Sequence, residues 1–327
     1  MRTHTEKQEE ILRLQERKRR QKQRERDVRL LWMGIIMFSV LLLTAAGVVA
    51  AGKIREVRET ELQQTAMSET ETEQTVQTTQ TERVRKPGPY PYHKPVEYSY
   101  TEALKQLETL AVDYPEFEEI CKNFEKYSGD LMVALANNPD MLSFVEGYLT
   151  ADQEVSSTLT AVEKTQKIPQ LLQWDKRWGY MSYGDDNMAL SGCAPTCLSM
   201  VIIGLTGETQ ITPDAVGKYA MDNSYYVFGT GTNWELMTAG CLDFGIQGEI
   251  IQPTEAAVTE ALQAGKPVIC SMGPGDFTYG GHFIVLTDME DGKVRVNDPN
   301  SKVRSEKLWD FETIQTQIKG LWAFTKV

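Results

Sequence analysis

Leu30 to Gly52 is a run of 23 residues without a charged side chain, and no other feature constrains the folding of this chain as strongly. At about 1.5 Å per residue, a helix of that length reaches roughly 34 Å, enough to cross the hydrocarbon core of a bilayer. A signal peptide is the alternative reading, but the run is longer than the usual apolar region and a long charged segment precedes it. Residues 1–29 hold eleven Lys and Arg against six Asp and Glu, so the positive-inside rule keeps that segment cytoplasmic and exports everything after Lys53. Beyond residue 29 the chain carries 23 basic against 40 acidic side chains, a net of −17 that disfavours nucleic acid as a partner. The basic run Arg17-Lys18-Arg19-Arg20-Gln21-Lys22 fits topology and anionic lipid better than a nucleic-acid-binding arm. The expectation is a single-pass protein of the cell membrane, bound to lipid through 30–52, with its folded part extracellular.

Residues 53–99 read as a disordered stalk. From Glu59 to Arg83 they are Thr, Gln and Glu with too little apolar surface to form a core, and the proline-rich stretch Lys86 to Pro95 stiffens the end. His93, alone among prolines, reads as a solvated spacer residue rather than a ligand or base. Residues 100–160 return to a helical period, with Leu104, Leu107 and Leu110, then Phe117, Ile120 and Phe124, then Leu131 and Leu135, then Met141, Phe144 and Val145. Breaks at Tyr114-Pro115, Ser128-Gly129 and Asn138-Pro139 cut this into three or four short helices, a small all-α module packing on the C-terminal half of the chain.

Residues 165–327 carry the chemistry. Gly192-Cys193-Ala194-Pro195-Thr196-Cys197 leads into the apolar run Leu198–Leu205. Gly192 frees the backbone and Pro195 suits a first helical turn, so Cys193 falls at a helix N-terminus, where unpaired N–H groups and the macrodipole favour a thiolate. Cys197, one turn later among large apolar residues, reads as a buried structural thiol. Two core cysteines are the bland alternative, since free cysteine is among the most buried residue types. His282 is the only histidine beyond His93, and Gly280-Gly281-His282-Phe283-Ile284-Val285-Leu286 predicts an internal strand with room for a substrate beside its two glycines. A thiol with an imidazole base is the constellation of nucleophilic catalysis.

Asp298, in Val296-Asn297-Asp298-Pro299, is the best-placed residue to orient the imidazole, and register decides whether it reaches. A two-residue Asp291-Gly292 turn pairs 290 with 293 and sets Asp298 opposite Val285, on the wrong face. A three-residue loop, Glu290-Asp291-Gly292, pairs 289 with 293 and sets Asp298 opposite Ile284, diagonal to His282 on one face. The three-residue loop is the expectation. Without it, Asp298 is an ordinary turn residue before Pro299.

Ile168-Pro169-Gln170-Leu171-Leu172-Gln173-Trp174-Asp175, Gly192-Cys193-Ala194-Pro195-Thr196, Gly281-His282-Phe283 and Asn297-Asp298-Pro299 together resemble the papain-like cysteine peptidases related to bacteriocin-leader-processing peptidases, in the stand-alone branch without a transporter. The resemblance covers residues 168–327. It implies Cys193 as nucleophile, His282 as general base and acid, Asp298 as orienter and Gln173 as side-chain donor to the oxyanion, with Gln170 as its rival. The glycine common after Gly-Cys in this group is Ala194 here, which narrows access beside the thiol.

The order of elements, a helical lobe and then an antiparallel sheet, gives an α+β fold with the active site at the seam. Helices are expected near 213–222, 233–244, 254–264 and 310–319, and strands near 248–252, 267–272, 281–288, 293–298 and 321–325. No cofactor is expected, because a lone histidine and five cysteines match no familiar zinc pattern, and the odd cysteine count gives no disulfide frame. The expected function is hydrolysis of peptide bonds in a peptide or protein substrate near the cell surface. The alternatives are an amidase acting on cell-wall peptides and a non-catalytic peptide- or wall-binding ectodomain. Double-glycine leader processing is disfavoured by the single span and the lack of a Gly-x-x-x-x-Gly-Lys loop.

Overall fold

A computed structural model describes residues 89–152 and 155–327. The basic segment 1–29, the expected span 30–52 and the stalk up to residue 88 lie outside the described residues, and among those described no helix is long and apolar enough to cross a membrane.

Four short helices come first: α1 (Tyr100–Asp113), α2 (Glu118–Lys122), α3 (Gly129–Asn137) and α4 (Leu142–Tyr148). Ser99 and Glu102 start α1 as a reciprocal capping box, and Ser128 caps α3 through Leu131 N–H. Pro115 and Pro139 each open a single 3-10 turn that redirects the chain, as expected of a residue that cannot continue the preceding helix. Their apolar faces meet in a core of Leu107, Phe117, Leu131, Leu135, Met141 and Phe144, which also takes in Trp174 and Ala189 from further along the chain. Tyr180 stacks on Phe144 at 4.3 Å and donates to its carbonyl, so these helices share a core with the start of the catalytic region.

The end of the expected stalk departs from expectation. Residues 89–99 lie as an extended strap against the folded unit, because Tyr90 packs edge-on against Tyr114 and Phe117. Extended proline-rich backbone leaves its polar groups free for outside partners. Asn137 brackets Val96 with two hydrogen bonds, and Lys94 pairs with Asp276 at 2.8 Å. His93 is no solvated spacer: it is half-buried, with Nε2 3.2 Å from the Ala136 carbonyl.

The rest of the chain is α+β. A small hairpin, β1 (Ser182–Tyr183) and β2 (Asp186–Asn187), precedes α5 (Met188–Ser191), the long α6 (Cys193–Thr206) and α7 (Pro213–Asp222). A second hairpin, β3 (Tyr226–Val227) and β4 (Gly231–Thr232), is followed by β5 (Ile246–Ile250), α8 (Glu255–Gln263), β6 (Val268–Met272), β7 (His282–Glu290), β8 (Lys293–Asn297), α9 (Lys302–Glu306), β9 (Leu308–Trp309), α10 (Phe311–Gln315) and β10 (Ile318–Lys326). The main sheet is antiparallel, in the order β5-β10-β6-β7-β8-β9. One face, with Ile269, Phe283, Val285, Trp322 and Phe324, packs on α6. The other, with Cys270, Ile284, Leu286 and Val296, is covered by α8 and α10. Helix α6 is apolar nearly all round because it is buried nearly all round. The helix expected near 233–244 is instead two 3-10 turns split before Gly240, and the one expected over 310–319 shortens to five residues as β10 begins early. All five cysteines are free.

The β7–β8 turn corrects the sequence reading while preserving its consequence. Glu290 pairs with Lys293, and Asp291 and Gly292 both have positive φ, so the turn has two residues with the twist such hairpins favour. A bulge then leaves Thr287 unpaired between Leu286↔Val296 and Asp288↔Arg295, returning the ladder to Val285↔Asn297. One more step brings Asp298 level with Ile284. The extra residue assigned to the loop sits in the strand.

Candidate active site

Cys193 is the first residue of α6, with Gly192 as its cap. Gly192 has an ordinary φ of −87°, so it is not there for backbone freedom. A Cβ would lie 2.5 Å from the Met188 carbonyl oxygen, so glycine is needed to let α5 pack against the turn that presents Cys193. Cys193 is half-buried, whereas Cys197 is fully buried and its thiol is pushed well above the usual range by burial. Burial also raises Cys121, Cys241 and Cys270.

His282 opens β7 at the end of the sheet, and its Nε2 lies 2.8 Å from Asp298 Oδ1. The other ring nitrogen is not used by Asp298, and Cys193 lines the same two flanking cavities as His282. Burial alone would lower the His282 pKa. The charge and hydrogen bond of Asp298, with the contact to Cys193, overcome it and raise the value to about 9.

Asp298 is fully buried, and burial works to raise its pKa. The Arg304 guanidinium first, and His282 second, hold the carboxyl well below the usual range instead. Oδ1 also accepts from Asn300 N–H at 2.7 Å, and Oδ2 accepts from Arg304 Nε at 2.5 Å. Sequence reading missed Arg304. It lies on the five-residue α9, which Ser301 caps after Pro299, and no periodicity marks so short a helix. The one available signal was a basic residue close after an aspartate that had to be buried with a partner.

The two glutamines separate. Gln170 donates from Nε2 to the Asp298 carbonyl at 2.8 Å and lines a 450 Å³ hollow with Lys167, Arg295 and Lys302 that reaches neither Cys193 nor His282. Gln173 is buried beside Cys193, donates from Nε2 to the Ala189 carbonyl at 2.7 Å and to the Leu190 carbonyl at 3.5 Å, and has an unpaired Oε1. Two cavities flank the cysteine–histidine pair. One of about 300 Å³ is walled by Gln173, Asp186, Tyr279 and Arg304, and also by Pro95 and Asp130 from the strap and α3. The other, of about 630 Å³, is walled by Val227, Thr232, Trp234, Ser271 and Phe283. A Cβ on Gly281, which borders both, would meet open space. Among the described residues no group of three or more His, Cys, Asp or Glu is arranged to hold a metal ion.

A half-buried thiol at a helix start, an imidazole with a raised pKa and a buried carboxylate, assembled between two cavities, are the parts of a cysteine-type peptidase. Residues 165–326, just under half of the chain, match the family model described as the Peptidase_C39 like family. Among solved structures, a Bacillus anthracis protein described as a C39-like peptidase is 15% identical, with 54% of this chain and 99% of that one covered and a TM-score of 0.32. The peptidase domain of Streptococcus ComA, a bi-functional ABC transporter involved in a quorum-sensing pathway, is 14% identical, with 44% and 97% covered and a TM-score of 0.30. No curated protein matches.

Proposed function

We propose that this chain is a membrane-anchored, exported peptidase in which Cys193, His282 and Asp298 form the catalytic triad and Gln173 helps hold the oxyanion. The observation that carries the reading is the convergence of Cys193, His282 and Gln173 on one cleft, with the fully buried Asp298 bonded to His282 behind it. The proton of the Cys193 thiol resides on His282, and the sulfur attacks the peptide carbonyl. The oxyanion takes hydrogen bonds from Cys193 N–H and from the Gln173 amide, which keeps its 2.7 Å bond to Ala189 and gives up the long 3.5 Å one to the Leu190 carbonyl. His282 protonates the leaving amine, then removes a proton from water as it attacks the thioester, and the acid product leaves with the thiol restored. Asp298 holds the ring throughout.

The apolar run 30–52 and the basic excess before it support an anchor with the peptidase outside, acting on peptides or proteins near the membrane or inner wall. The purified protein should be labelled once, at Cys193, by an electrophilic peptide probe, and should hydrolyse peptides in the same preparation. Labelling confined to another cysteine, or none with the fold intact, would overturn the catalytic reading. Protease added to intact protoplasts should release an active soluble fragment; protection until lysis would invert the topology.

A further inference from the structure

We propose that Arg304 is a positioning residue for the Asp298–His282 pair, and that the strap preceding the helical segment holds it in place through Tyr92. The proposal rests on the triad reading above.

The contacts run as a chain. Arg304 is 3% exposed, and its Nε donates to Asp298 Oδ2, the oxygen His282 does not use. Its backbone is fixed at both ends: N–H donates to the Ser301 hydroxyl, and the carbonyl accepts from Trp309 Nε1 at 2.9 Å. The guanidinium, with five N–H donors, needs more than one acceptor when buried, yet its Nη2 makes no hydrogen bond in the described structure. Tyr92 and Arg304 line the same small hollow, together with Ser301, so the phenol is the strap group set beside the guanidinium. The groups facing this pair are therefore His282 on β7, Arg304 on α9 and Tyr92 on the strap, with the acidic Asp276 beside Tyr92 and Cys193 beyond His282.

The strap also engages the opposite wall. The Tyr92 hydroxyl approaches the Asp276 carbonyl at 3.3 Å, and Lys94 pairs with the Asp276 carboxylate. Asp276 belongs to the loop that ends in Gly280-Gly281-His282, and Gln317 fixes it with two hydrogen bonds, at 2.7 and 2.8 Å. Tyr92 and Lys94 thus hold the loop that delivers His282, and Tyr92 also borders the hollow beside the helix that delivers Arg304 to Asp298. The strap lies outside residues 165–326, so the family-matching segment by itself lacks this support.

Arg304 does two things for the pair. It neutralises a carboxylate that is buried and must stay ionised, and it fixes the plane of that carboxylate so that Oδ1 points at the imidazole. Weakening it leaves an ionised Asp298 harder to keep, and the acid limb of the rate profile moves to higher pH.

The test uses the full chain with Tyr92→Phe, Arg304→Lys and Arg304→Met, read by kcat, KM and the pH profile on a fluorogenic peptide. Tyr92→Phe keeps the ring and removes the hydroxyl that meets the Asp276 carbonyl and borders the hollow beside Arg304, so kcat should fall by up to about tenfold with KM little changed. Arg304→Met should lose more, with the acid limb raised, and Arg304→Lys should recover part of the loss by restoring the charge without the fork. The His282 imidazole titration, followed by NMR, needs no turnover and separates this proposal from the peptidase reading: if the wild type is inactive but the His282 midpoint moves in Arg304→Met, the positioning role stands alone. Wild-type kcat, an unmoved acid limb and an unmoved His282 midpoint in both Tyr92→Phe and Arg304→Met would overturn it.

Discussion

Asp298→Asn removes the larger of the two influences that raise the His282 pKa, the other being Cys193, and the direction of the effect can be worked from the site. His282 sits at about 9 where a free imidazole titrates near 6.5, a gap worth about 3 kcal/mol. Burial pulls the other way, so an uncharged amide in place of the carboxylate should let the midpoint fall well below 9, with only Cys193 left to hold it up. At pH 7 the ring is then less fully protonated than in the wild type, and less of the acid that releases the leaving amine is present. The chain has three histidines, so the His282 ring signals can be assigned by substitution and titrated by NMR.

Stability gives an independent reading of the same pair. A histidine raised on folding stabilises fully below its unfolded value of about 6.5 and loses that contribution as pH rises through about 9. Asp298, held low, contributes above its unfolded value of about 4 and loses that contribution in acid. Urea melts of the wild type should thus show the pair's full contribution between about pH 4 and 6.5, and Asp298→Asn should flatten both flanks. It should also cost stability overall, on the order of 3–5 kcal/mol, because Arg304 is left buried without its counter-charge. A His282 midpoint in Asp298→Asn that matches the wild type would refute the electrostatic account of the site.

Cys193→Ala should abolish hydrolysis and probe labelling, whereas Cys197→Ala should spare most activity and cost about 1 kcal/mol or more as a core deletion; equal loss in two folded variants contradicts the assignment. Gln173→Ala should lower kcat by about 10²–10³, with Gln170→Ala far milder, and the reverse ranking would pass the oxyanion role to Gln170. Deleting Thr287 should convert the bulge into a regular ladder with Asp298 still level with Ile284, so activity should survive. A folded but inactive deletion variant would show that the bulge itself, not the register it restores, aims Asp298.

The parts of the site that were legible in the sequence, and the parts that were hidden, differ in the range of the interactions involved. Cys193 and His282 stand out because each depends on local pattern: a glycine turn running into an apolar helix, and a pair of glycines running into an apolar strand. Asp298 was reached by counting. Thirteen residues separate it from Ile284, and an odd number cannot be closed by a two-residue turn and an unbroken ladder. Counting demands one extra residue but does not locate it, and a three-residue loop and a two-residue turn with a bulge satisfy it equally. Gly192 was singled out correctly for the wrong reason, since its constraint is the Met188 carbonyl, a contact made by a neighbouring short helix rather than by its own backbone angles. Arg304 and the strap were out of reach altogether. Their roles depend on Tyr92 meeting a side chain more than 200 positions later, and a Tyr-Pro-Tyr segment after a polar stretch looks the same whether its rings find a surface or remain in water. What decides between those states is a folded partner with Tyr114, Phe117 and Asp276 already in place, and that partner exists only in three dimensions.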